Sequence, residues 1–361
     1  MSLPSQNVSS RNFPRLNFSL QSVRDHVASH RVFGFRSVVV WLAAIAVAGM
    51  LTGSLRAKGP AVTDPAKADA DFAFQGEYVG EAGKEDKMRY GAQIIALGGG
   101  KFHAVGYVGG LPGDGWNGTP KIELDGQMEN GAVVFKGDTG HASIKNGVLT
   151  VSTGDGEAVG KLNKVERKSP TLGAKPPAGA VVQFDGKSVE GWKDGKLDEG
   201  LLCQGTTSKE TFGSHTLHIE FRLPYQPEER GQGRGNSGLY LQGRYEVQML
   251  DSFGLKGEDN ECGGIYSVKK PDVNMCLPPL AWQTYDVEFT AAKYDDAGKV
   301  VSPPRVTVSH NGVVIHKDVV LPADRNTTAA PLGPGREPGP VYLQDHGNPV
   351  RYRNVWVVKK S

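Results

Sequence analysis

Glu246 and Gln248 stand two residues apart in Tyr245-Glu246-Val247-Gln248-Met249. On a strand both side chains share one face, while Tyr245, Val247 and Met249 take the other. A carboxylate can take or deliver a proton, and a neighbouring amide can orient a hydroxyl or a carbonyl. Just upstream, Arg234, Asn236 and Tyr240 surround a Gly235-Asn236-Ser237-Gly238 loop. Residues 238–242 and 245–250 read as two short strands joined by a tight turn at Gly243-Arg244. Two bland roles compete with chemistry here. Alternation of this kind is what any half-solvated sheet face shows, and Glu246 has Arg244 and Arg351 as candidate ion-pair partners.

These residues need a β framework, and the composition supplies one. The chain has 361 residues, enough for two domains with cores of their own. Its 48 glycines and 22 prolines suit many short strands joined by turns. Lys plus Arg number 41 against 39 for Asp plus Glu, so no basic field selects for nucleic acid. The fold class expected is all-β.

The N-terminus reads as an export element. Residues 1–37 carry Arg11, Arg15, Arg24, Arg31 and Arg36 against the single acid Asp25, and an uncharged apolar run over 37–55 follows. This is a signal peptide with Thr52, Gly53 and Ser54 at its cleavage site, or an uncleaved anchor that ties the chain to the membrane. Either form places residues 60–361 outside the cytoplasm, where disulfides persist. A bridge between Cys262 and Cys276, which bracket one loop, is therefore expected, with Cys203 left as a small apolar residue.

Residues 1–58 thus form the basic and apolar leader, and 59–71 a tether. Residues 72–167 form a small all-β domain whose strands are bounded by glycine; its role is not readable. There Trp116 either stacks on sugar or plugs the end of a sandwich. Residues 168–180 are a proline-stiffened linker, and 181–361 a second domain. In the second domain residues 215–223 place Leu217, Ile219, Phe221 and Leu223 inward and His218, Glu220 and Arg222 outward. Asn311-Gly312 marks a hairpin. His218 and His310 read as satisfied histidines on strand faces. So many antiparallel strands predict a large two-sheet sandwich.

Residues 181–359 carry, in order, Phe184-Asp185-Gly186-Lys187, Gly191-Trp192, Gly235-Asn236-Ser237-Gly238-Leu239-Tyr240-Leu241 and Gly243-Arg244-Tyr245-Glu246-Val247-Gln248-Met249-Leu250-Asp251-Ser252. Gly264-Ile265-Tyr266, Trp282-Gln283-Thr284-Tyr285-Asp286, His310-Asn311-Gly312-Val313 and Leu343-Gln344-Asp345-His346-Gly347-Asn348-Pro349-Val350 follow. In these motifs the domain resembles the 3-keto-disaccharide hydrolase family, whose members act as 3-keto-glycoside lyases and hydratases on a concanavalin A-like jelly roll. Cys203 departs from the apolar residue expected there. The resemblance gives the first domain no activity.

The resemblance implies an exported enzyme acting on 3-keto-glycosides or 3-keto-disaccharides. With C3 oxidised, the C2 proton is α to a carbonyl and the C1 aglycone can be eliminated; water then adds. A conventional retaining glucanase would need two carboxylates ~5 Å apart. Here the face of Glu246 and Gln248 continues into Leu250, with Asp251 on the other parity. We therefore expect Glu246 as base, with His346 as alternative base or leaving-group acid. Arg234, Asn236, Tyr240, Gln248, Trp282 and Gln344 are the expected sugar-binding residues. A divalent metal on the ketone oxygen is chemically attractive, with Asp251, Glu261, Asp345 and His346 as candidate ligands, although no spacing demands one. The alternatives are a non-catalytic carbohydrate-binding or surface module, and a glucanase. No dinucleotide fingerprint occurs, so a separate oxidoreductase would supply the keto sugar. The sequence sets no oligomeric state.

Overall fold

The alternating pattern becomes 23 strands in the computed structural model, which describes residues 59–138 and 140–360. The leader, with its signal or anchor, lies outside the described residues. Among those described, no helix is long and apolar enough to cross a membrane.

Eight strands come first: β1 (Gly76–Ala82), β2 (Met88–Gly98), β3 (Lys101–Val108), β4 (Ile122–Glu129), β5 (Ala132–Lys136), β6 (Gly140–Lys145), β7 (Val148–Thr153) and β8 (Ala158–Val165). They run up and down, and β8 returns to pair with β1, closing a barrel that leaves no free edge. Glycine permits the seam. A Cβ on Gly160 would lie 2.4 Å from that of Ala82 across it, and one on Gly80 would lie 2.0 Å from the Lys161 carbonyl oxygen. Inside sit Ile94, Phe102, Phe135, Ile144 and Leu162, joined by Tyr225 and Leu280 from the second half of the chain.

The second half continues with β9 (Val181–Phe184), β10 (Trp192–Lys193), β11 (Leu197–Asp198), β12 (Leu201–Cys203), β13 (Thr206–Phe212), β14 (His215–Arg222), β15 (Ser237–Leu241) and β16 (Tyr245–Met249). β17 (Trp282–Thr290), β18 (Lys293–Tyr294), β19 (Val300–Ser302), β20 (Arg305–His310), β21 (Val313–Val320), β22 (Gly339–Leu343) and β23 (Arg351–Lys359) complete it. One sheet has the order β10-β13-β22-β15-β16. The other runs β11-β12-β23-β14-β17-β20-β21, with β9 added on β23. This is the concanavalin A-like jelly-roll sandwich. Leu217, Ile219 and Phe221 of one sheet share a core with Leu239, Val247 and Leu343 of the other. Each fully buried side chain of this size contributes about 1.5–3 kcal/mol. The hairpin between β20 and β21 turns on Asn311 and Gly312, both at positive φ.

The segment joining the halves is fastened to the outer face of the larger sheet. Thr171 donates its hydroxyl to Asp286 (2.6 Å), and the Gly173 N–H donates to Glu220 (2.6 Å). His218 belongs to this fastening: its Nδ1 lies 2.6 Å from Asp286, and its ring stacks on Trp356. Burial alone would lower the His218 pKa, but the Asp286 and Glu220 carboxylates outweigh it and hold the pKa above its usual value. Trp116 is a plug: its N–H donates to the Thr119 carbonyl, and it packs edge-on to Tyr107 against the sandwich core.

The cysteine expectation is corrected. Cys262 and Cys276 neighbour each other and are fully buried, yet both are free thiols. Each has its own partner: Cys262 Sγ lies 3.3 Å from the Tyr285 hydroxyl, and Cys276 Sγ donates to the Leu250 carbonyl at 3.5 Å. Cys203 is half-buried on β12.

Candidate active site

β15 and β16 form the hairpin that the alternation implies. The Arg244 N–H donates to the Leu241 carbonyl (3.0 Å) across Gln242 and Gly243, both at positive φ. Register then decides which side chains meet. Tyr240 lies opposite Glu246 and Gly238 opposite Gln248, and on the other side Tyr240 is paired with Tyr342 of β22. Leu239, Val247 and Leu343 point into the core, so Gly238, Tyr240, Glu246, Gln248 and Tyr342 share the outer face of the smaller sheet.

Glu246 is 2% exposed. Its Oε2 accepts the Tyr240 hydroxyl at 2.8 Å, and Gln344 Nε2 donates to that hydroxyl oxygen at 3.1 Å. Tyr240 faces a second acceptor, the Thr328 carbonyl oxygen, at 3.0 Å. Neither ion-pair rival forms. Arg244 donates to the Gly333 and Glu337 carbonyls, and Arg351 is bound to Asp198. Burial pushes the Glu246 pKa up to about 8, against the opposing pull of the Tyr240 hydrogen bond. Burial also holds the Tyr240 phenol far above its usual value, so it stays a donor. Glu246 is thus a carboxyl poised to exchange a proton near neutral pH.

Beside it lies a cradle of amides. Gln248 and Asn236 each donate to Gln232 Oε1 at 3.0 Å, which leaves Gln248 Oε1 and Asn236 Oδ1 buried without partners. Buried acceptors in this state suit a ligand rich in hydroxyl donors.

The expected site residues separate into two groups. Glu246, Tyr240, Gln248, Asn236 and Gln344 come together. Arg234 does not join them: it is buried against Asp251 (2.6 Å) and donates to the Ala96 and Pro227 carbonyls. Trp282 is on β17, opposite Arg222 on the outer face of the other sheet, with the Arg353 and Arg222 guanidinium carbons 4.0 and 5.0 Å from its ring centre. Parity gives a side chain's face but not its sheet. His346 stands exposed on the turn after β22. Replacing Trp282 by Ala is expected to leave kcat/KM unchanged and to lower stability by about 0.5–2 kcal/mol, which steady-state kinetics and urea unfolding would check.

The metal candidates do not fit a shared site. Asp251 holds Arg234, Glu261 accepts from Gly257 and Glu258 N–H groups, and Asp345 caps its own turn through the Gly347 N–H. Among the described residues no three His, Cys, Asp or Glu side chains gather to hold a metal ion.

Tyr342 and Gln232 are site residues that the sequence reading missed. The Tyr342 ring, half-buried, lies 5.3 Å from that of Tyr240 and offers a stacking face. The signal for Tyr342 was present: it is two residues from Gln344, so the two share a face wherever that strand runs.

Residues 179–358 match the 3-keto-alpha-glucoside-1,2-lyase-like domain family. Three solved structures of proteins from Parabacteroides distasonis ATCC 8503, each named as a candidate glycosyl hydrolase, are similar to about half of the chain. The first is 31% identical over 51% of this chain and 85% of its own, with a TM-score of 0.47. The second is 19% identical over 51% and 94%, with a TM-score of 0.37. The third is 17% identical over 50% and 99%, with a TM-score of 0.36. No curated protein matches.

Proposed function

Because the chain belongs, through residues 179–358, to the 3-keto-alpha-glucoside-1,2-lyase-like domain family, we propose that it is an exported enzyme that cleaves 3-keto-glycosides by elimination and hydration. The carbohydrate-active character comes with the family; the keto substrate and the route are our reading. The observation that carries it is the solitary Glu246. Burial and one phenol set its pKa, and no second acid contributes. Asp251, the nearest acid in sequence, is committed to Arg234. Among the described residues a two-carboxylate displacement lacks its partner, whereas an elimination needs only one group that moves a proton.

The ionised Glu246 takes the C2 proton, and the C–H electron pair moves onto the C3 ketone oxygen as an enolate. The Gln344 and Gln248 amides, or the Tyr240 hydroxyl, offer hydrogen bonds to that oxygen. The pair then returns, the C1–O bond breaks, and the aglycone oxygen receives a proton from the carboxylic acid just formed. Water adds across the C1–C2 double bond, so the sum is hydrolysis.

Incubating the full chain with a 3-keto-disaccharide and with its unoxidised parent tests this. Turnover of the keto sugar alone is expected. Cleavage of the parent would make it a glucanase, and binding without turnover a carbohydrate-binding module. The pH dependence follows from the base role. Only ionised Glu246 abstracts the proton, so kcat/KM should rise with pH along one limb with a midpoint of about 8. A profile already flat from pH 5 to 9 would remove Glu246 from that role.

A further inference from the structure

We propose that the N-terminal barrel is the positioning element of the Glu246 site and that Ile95 on β2 is the residue through which it chiefly acts. This rests on the reading of Glu246 as the reacting group. Two segments flank the hairpin that carries Glu246, residues 226–236 before β15 and residues 251–262 after β16. Glycine interrupts both, at Gly231, Gly233 and Gly235 and at Gly254 and Gly257. Glycine-rich chain loses the most freedom on ordering, so such segments need a wall to hold them.

The barrel is that wall. The Ala96 carbonyl accepts from Arg234 Nη1 at 3.3 Å, and the Leu97 carbonyl accepts from Arg230 Nη2 at 3.1 Å. Lys121 of the barrel donates to the Leu255 carbonyl at 3.1 Å. The closest approach is at Gly254, where a Cβ would sit 2.5 Å from Ile95 Cδ1 and 3.0 Å from its Cγ1. The held segments then hold the site. Gln232 Nε2 donates to the Asn260 carbonyl at 2.8 Å, bridging the two, and its Oε1 accepts from both Gln248 and Asn236. A side chain on β2 thereby braces the amides beside Glu246, and loosening them would admit water to the carboxyl.

The test is a double-mutant cycle in the full chain with Gly254→Ala, Ile95→Ala and the pair. Gly254 has φ +78, so Ala is strained there in any background, but the clash exists only while Ile95 is present. Gly254→Ala is expected to lower kcat/KM about 10- to 100-fold and to move the midpoint of the pH profile down toward that of an ordinary carboxyl. The pair should regain several-fold of the loss. Hydrogen–deuterium exchange, read without substrate, should quicken in residues 226–236 and 251–262 in Ile95→Ala and Gly254→Ala. Folded variants with wild-type kinetics, pH midpoint and exchange would overturn the proposal. If the wild type turns over no keto sugar, the function reading fails while exchange still decides this one. If Gly254→Ala does not fold, the graded pair Ile95→Val and Ile95→Ala decides it by exchange and pH midpoint.

Discussion

Glu246→Gln is expected to reduce kcat/KM on a 3-keto-disaccharide by about 10²- to 10⁴-fold and, at the same time, to make the protein more stable at neutral and alkaline pH. The loss follows from the proton transfer. Gln keeps the size and can still accept from Tyr240, but it cannot take a proton from C2. The gain follows from linkage. The Glu246 pKa rises from 4.5 to about 8 on folding, chiefly through burial, so between those values the native chain keeps a proton that the unfolded chain releases. The unfolded state therefore binds fewer protons, and stability falls as pH rises through this window. At the upper end the accumulated loss is roughly 3–5 kcal/mol, and Gln carries none of it. Urea unfolding at pH 4.5 and pH 8 should show wild-type stability dropping more than that of the variant. Parallel behaviour of the two proteins would mean that Glu246 is not a strained carboxyl.

This opposition between activity and stability separates a site from a core. A buried carboxyl with one phenol for company is a poor way to fill a sheet face, since replacing it by a neutral amide would favour the fold. Its retention beside unpartnered Gln248 Oε1 and Asn236 Oδ1 argues that this cluster serves a ligand, and that the ligand supplies hydroxyl groups.

Strand periodicity carried the reading a long way, and its limits are physical. Alternation placed Leu217, Ile219 and Phe221 in the core and Glu246 with Gln248 on one face, because a pleat repeats every two residues whatever the strand pairs with. It could not place Trp282, because parity is silent on which sheet a strand joins. Tyr342 meets Tyr240 across about a hundred residues of chain, a pairing that no local pattern encodes. Arg234 looked like a sugar-binding residue because it stands beside the loop; its partners Asp251 and the Ala96 carbonyl come from the chain just after β16 and from the barrel. Barrel closure was hidden for a similar reason: the β1–β8 pairing joins the two ends of that domain.

Gly238→Ala should show how tightly the carboxyl is held. Gly238 is not among the residues of positive φ, so Ala fits its backbone, and any effect must come from the methyl group. That Cβ would stand 2.1 Å from Glu246 Oε1, 2.9 Å from Cδ and 3.0 Å from Cγ, so the carboxyl lies across the glycine as on a floor. With Tyr240 on one side and Gln248 on the other, Glu246 has little room to swing, and close-packed interiors transmit such strain. A displacement of about 1 Å costs up to about 10²-fold in rate, so kcat should fall by about 10- to 100-fold, with about 1–3 kcal/mol of stability lost to overpacking. Shortening the acid in the same background, Gly238→Ala with Glu246→Asp, should relieve the clash and recover part of the stability, though not the reach to C2. If Gly238→Ala instead kept the wild-type rate and pH midpoint, the carboxyl position seen here would not be the one from which the proton is taken.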